Sequence, residues 1–155
     1  MDRSPRWRPG APFRSSRRAA RGESTPTEIV ALAHDQLKDT RGAVLAVLAL
    51  DREAGTADFC GVGNIAAAIY QGGESKHLLS VEGIVGYRVR AMRNQQVPWG
   101  PNAVAILYTD GVSGRWGLAR YPGLLARHPV VVASVLFRDH ARDTDDATLV
   151  VARRS

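Results

Sequence analysis

Val104-Ala-Ile-Leu-Tyr-Thr-Asp-Gly111 is an apolar run that stops at an acid. A buried strand of this kind delivers a carboxylate at its C-terminal end, and Gly111 lets the chain turn sharply there. The segment Thr144-Asp-Asp-Ala-Thr-Leu-Val-Val-Ala152 does the reverse: Asp145 and Asp146 stand immediately before a β-rich run. If the two strands are neighbours in one sheet, their acidic ends meet, and carboxylates gathered in this way hold hard cations. Taken singly, each motif is more often a plain turn or a solvated strand start. The pair is what carries information.

Outward from these strands the pattern predicts an α+β domain. Thr25-Pro-Thr-Glu28 reads as a helix start, with Thr25 as N-cap, Pro26 at the first helical position and Glu28 completing a capping box. Ile29, Leu32, Ala33 and Leu37 are expected on one face of that helix. Residues 42–50 read as a fully buried strand, 51–55 as a hairpin turn and 56–61 as the return strand. Residues 65–70 suit an Ala-rich helix or a strand, and Gln71-Gly-Gly73 favours a second hairpin with residues 76–81. Residues 87–92 alternate with Arg88, Arg90 and Arg93, as in a strand with one wet face. A loop carrying Trp99 is expected over 94–101, a short helix over 115–120, an amphipathic helix from His128-Pro129, and a last strand from Asp146 or Ala147.

The net charge of +6 suggests nucleic acid until it is located. Residues 1–22 hold seven Arg and one Asp, and the 14 basic and 14 acidic side chains of the remainder cancel. The folded part is therefore neutral, and the expectation is a disordered Arg-rich tail over 1–22 followed by one domain over 23–155. A single cysteine, Cys60, rules out an internal disulfide and suits a reducing, cytoplasmic compartment. No apolar run has the length of a membrane span. Arg17-Arg18 is not followed by the apolar segment of an export signal.

In order along the chain, Thr40-Arg-Gly-Ala43, Phe59-Cys-Gly-Val-Gly-Asn64, Thr109-Asp-Gly-Val112 and Asp145-Asp-Ala-Thr-Leu-Val-Val151 resemble the metal-dependent (PPM-type) protein serine/threonine phosphatases. The branch they are most similar to is that of the stage II sporulation protein E and bacterial stress-response phosphatases. The resemblance implies an antiparallel β-sandwich flanked by helices, and a pair of Mn²⁺ or Mg²⁺ ions activating the water that attacks phosphorus. It places Asp110 and Asp145 at metal-ligand positions, with Asp146 as their helper or as a strand cap. It also implies a phosphorylated protein substrate, such as an anti-sigma-factor antagonist, with no membrane and with nucleic acid a minor alternative.

One piece departs from the family pattern. The Asp-Gly segment that supplies the bridging carboxylates, on strands N-terminal to everything above, has no counterpart: upstream of Glu23 the only acid is Asp2. The expectation is therefore a domain lacking its N-terminal strands, with half of a binuclear site and impaired hydrolysis. A non-catalytic module that binds a phosphorylated partner stands as the alternative, and a nucleic-acid role for the Arg-rich tail as a further one.

Other motifs carry less. Gly61-Val-Gly-Asn-Ile-Ala66, with Glu82 some way beyond, outlines a dinucleotide-binding turn, but that turn must open a helix. The family reading makes it a strand-to-strand turn without chemistry. His34, His77, His128 and His140 show no zinc spacing. His140 could approach Asp145, and Arg115 could line a phosphate approach, with Trp116 in the core. Ser113 lacks a nucleophile-elbow context.

Overall fold

The computed structural model describes residue 22 and residues 24–154. The expected tail over 1–22 thus lies outside the described residues except for Gly22. The chain enters its first helix, α1 (Pro26–Gln36), through the capping box read from the sequence. Glu28 N donates to Thr25 Oγ1 at 3.2 Å, and Thr25 N donates to Glu28 Oε2 at 2.7 Å. That second bond, more than any other influence, holds the Glu28 carboxyl below its ordinary range.

The buried stripe of α1 keeps Ala33 and Leu37 of the four expected residues and replaces the other two. Pro26, Val30, Ala33 and Leu37 face inward at spacings of four, three and four, while Ile29 and Leu32 are 39% and 61% exposed. Both stripes have helical period, and the underlying sheet selects between them.

Among the described residues nine strands follow in chain order: β1 (Leu45–Asp51), β2 (Thr56–Val62), β3 (Ala66–Gln71), β4 (Glu74–Leu79), β5 (Gly83–Ile84), β6 (Arg88–Val89), β7 (Gln95–Pro98), β8 (Val104–Tyr108) and β9 (Leu149–Arg153). All of their ladders are antiparallel. They form a three-stranded sheet, β1-β2-β7, a four-stranded sheet, β4-β3-β8-β9, and the small hairpin β5-β6. Residues 65–70 are settled as a strand because β3 is central, paired with β4 on one side and with β8 on the other. This also removes the dinucleotide reading, since a strand rather than a helix follows Gly61–Asn64.

Alternation along each strand sorts the side chains into layers. Ala57, Phe59, Ala67, Ile69, Leu78, Trp99, Ala103 and Ala105 fill the space between the two sheets. The opposite face of β2 turns Cys60 and Val62 toward Val30 of α1 and toward Val85. On the far side, Val104, Ile106, Val112, Trp116 and Leu124 pack against Val132 and Leu136 of α2 (Pro129–His140). The order helix, sheet, sheet, helix is the helix-flanked β-sandwich expected from the resemblance. No helix among the described residues is long and apolar enough to cross a membrane.

Several local expectations need correction. Residues 42–50 are not a fully buried strand: β1 begins at Leu45 and is only half-buried, because it is the outer strand of its sheet. Residues 94–101 are not all loop. Residues 95–98 form β7, and buried Asp58 of β2 explains why so polar a segment pairs there. Its Oδ1 accepts from Asn94 Nδ2 at 2.8 Å and from Gln96 Nε2 at 3.0 Å. Gln95 then reaches the other sheet, accepting from Leu79 N and donating to Leu79 O like a surrogate peptide unit.

The strand expected over 87–92 shrinks to Arg88–Val89. The helix over 115–120 is a single 3-10 turn at Leu118–Arg120, and the last strand starts at Leu149.

Candidate metal centre

β8 and β9 are direct neighbours, with Tyr108 opposite Leu149. The pairing continues past the named strands. Thr109 N donates to Thr148 O at 3.1 Å, and Thr148 N donates to Thr109 Oγ1 at 3.0 Å. The ends of the two acidic segments are thereby brought side by side. Beyond Asp110 the chain turns so tightly under the second segment that a Cβ on Gly111 would stand 2.2 Å from Asp146 O. On its other flank this corner is tied to the start of α2's exit, with Arg142 N donating to Gly111 O and Ser113 N to His140 O.

Asp110 is exposed, and its Oδ2 accepts from Asn64 Nδ2 at 2.6 Å. Asn64 sits in the β2–β3 turn, 46 residues away in sequence. Sequence reading gave that turn only structural glycines. The side chain of Asn64 in fact aims the Asp110 carboxylate and leaves Oδ1 open. Only the Asn at the end of Gly61-Val-Gly-Asn64 could have hinted at this, and nothing local pointed it at Asp110.

Asp145 and Asp146 are also exposed, and Asp145 Oδ1 caps Asp146 N at 2.9 Å. The corner therefore presents oxygen donors, the ligand type that hard divalent ions take. Among the described residues, no group of three or more His, Cys, Asp or Glu side chains stands together so as to hold a metal ion.

The remaining candidates lie elsewhere or are otherwise engaged. His140 packs edge-on to Trp116, and its Nε2 lies 3.1 Å from the Tyr121 hydroxyl, so its ring closes the end of α2. Trp116 is in the core, as expected, and donates from Nε1 to the Tyr70 hydroxyl at 2.7 Å. Arg115 is exposed. Glu28 is spent on its cap, and Asp35 pairs with Lys38 at 2.7 Å.

A helix-flanked antiparallel sandwich with acids at the ends of two adjacent strands defines the class: a phosphatase-type fold. The sequence profile of stage II sporulation protein E (SpoIIE) matches residues 13–155, and the chain belongs to that family. Among solved structures it is similar to a chain from work on the bacterial stressosome as a modular system adapted to control secondary messenger signalling. That pair is 27% identical, with a TM-score of 0.73, over 87% of this chain and 71% of the other. It is also similar to RsbX, solved in complex with magnesium, at 19% identity and TM-score 0.67 over 88% and 68% of the two chains. The phosphatase domain of SpoIIE from Bacillus subtilis superposes at TM-score 0.55 and 16% identity, over 92% and 74%. A search of curated proteins gives no match.

Proposed function

We propose that this domain serves bacterial signalling as a metal-linked protein phosphoserine/phosphothreonine phosphatase module, and that Asp110 and Asp145 are its ligands for Mn²⁺ or Mg²⁺. The observation that supports this best is the pairing of β8 with β9, which sets Asp110 beside the segment carrying Asp145 while Asn64 orients its carboxylate. Its partner in this reading is a phosphorylated regulatory protein, of which an anti-sigma-factor antagonist is the leading kind.

The residues in hand fit one weakly bound ion rather than two. Two-metal hydrolysis holds its ions about 3.5–4 Å apart with shared carboxylates, and among the described residues no three His, Cys, Asp or Glu side chains converge to hold a metal ion, Asp146 at this corner included. That observation favours a second reading, in which the module binds a phosphorylated partner without turning it over.

Titration with Mn²⁺ and assay of phosphate release from a phosphoserine protein separate the two. Asp110→Asn and Asp145→Asn are each expected to weaken Mn²⁺ binding. The double variant should lose little more, because residues acting on one ion are not independent. Hydrolysis by residues 1–155 is expected to be poor or absent even in millimolar Mn²⁺. Robust turnover that disappears in Asp110→Asn would establish the enzyme and require a further ligand. Additive losses of Mn²⁺ affinity would separate the two carboxylates.

A further inference from the structure

The β5-β6 hairpin is attached to the same corner. Gly63 N donates to Val81 O at 2.9 Å and Val81 N to Gly61 O at 2.9 Å, so the chain entering the hairpin lies against the turn that carries Asn64. Gly83 then packs on Val62, and its φ of +150° is a conformation that L side chains rarely adopt. The hairpin is held from below as well: Gly86 N donates to His34 Nδ1 at 2.9 Å, and Val85 bridges Ala43. Val89 packs inward with the cluster under α1. Strand alternation therefore turns Arg88 and Arg90 outward together.

Those two arginines, with Tyr87 and Glu82, line a cleft of about 370 Å³. Tyr87 is 79% exposed. Among the described residues neither arginine has an acidic partner. Two unpaired guanidiniums against the single carboxylate of Glu82 leave this small cleft positive, and they match a phosphate dianion, whose oxygens accept forked N–H pairs. A nucleic acid needs a longer positive track, and the domain beyond residue 22 carries as many acids as bases.

We propose that the β5-β6 hairpin is the docking site for the phosphorylated segment of the partner protein, with Arg88 and Arg90 receiving a phosphoserine or phosphothreonine and Tyr87 packing against the adjacent peptide. This rests on the phosphatase-module reading for the class of ligand, but not on the metal or on turnover.

The test is fluorescence anisotropy with the full chain in EDTA, using a fluorescein-labelled twelve-residue peptide with one central phosphoserine and its unmodified serine counterpart. The phosphopeptide is expected to bind about tenfold tighter than its counterpart, and Arg88→Glu with Arg90→Glu should remove that preference. Arg88→Lys with Arg90→Lys should keep part of it, since charge survives while the fork is lost. If the double glutamate variant does not fold, Arg90→Gln alone decides, with an expected loss of about threefold.

Equal affinity for the two peptides, or a preference untouched by these substitutions, would overturn the proposal. So would tighter binding of a twelve-nucleotide single-stranded DNA that depends on the same arginines, which would make the hairpin a nucleic-acid contact. Absence of Mn²⁺-dependent hydrolysis leaves this assay unaffected, so the two readings fail separately.

Discussion

Gly111 matters because of what its missing side chain admits. The carbonyl of Asp146 occupies the space a Cβ would need, so the chain can pass Asp110 under the second acidic segment only with glycine in place. Gly111→Ala is expected to destabilise the fold by about 1–3 kcal/mol, the usual cost of overpacking against atoms that cannot yield. The measurement is the shift in urea midpoint, and an unchanged midpoint would mean that the 145–148 segment moves freely away. The glycine was legible in the sequence as a turn, and Asp110 as a strand end. The Asn64–Asp110 bond was not, because its partners are 46 residues apart and no period or cap links them. Asp58 was hidden for a similar reason: its two amide donors lie 36 and 38 residues downstream, so an acid in an apolar strand pattern gave no sign of being buried.

Elements with local causes were read closely. The start of α1 follows from bonds spanning three residues, and α2 from His128-Pro129 and a clear apolar stripe. What failed was decided across the sheet. The buried stripe of α1 depends on what β2 presents, and β7 pairs with β2 where buried Asp58 accepts from the Asn94 and Gln96 side chains. Cys60 reports on the contact between α1 and β2. Burial pushes its thiol up, with the Thr27 hydroxyl and the Arg93 backbone amide pulling the other way. A raised thiol pKa leaves less thiolate near neutral pH, and the reagent must in any case wait for α1 to lift. Alkylation of the folded chain by iodoacetamide is therefore expected to be at least on the order of a hundredfold slower than in urea. Fast labelling with helicity retained would show α1 opening on its own.

At the scale of the molecule, each of the two larger sheets ends in two outer strands among the described residues, β1 and β7 in the three-stranded sheet and β4 and β9 in the four-stranded one. Such edges offer rows of backbone groups to other chains. Val150 of β9 is 53% exposed, and β1 is half-buried throughout its first six residues. The consequence can be read one amide at a time in deuterated water. Arg154 N donates to Ala103 O, which fixes the alternation of the ladder and turns the amides of Val150 and Ala152 toward β8. The amides of Leu149, Val151 and Arg153 face away from it. Deuterium uptake along β9 is therefore expected to alternate, slow at 150 and 152 and fast at 149, 151 and 153. A partner seated on that edge would flatten the alternation, and the residues that slow down would mark its register.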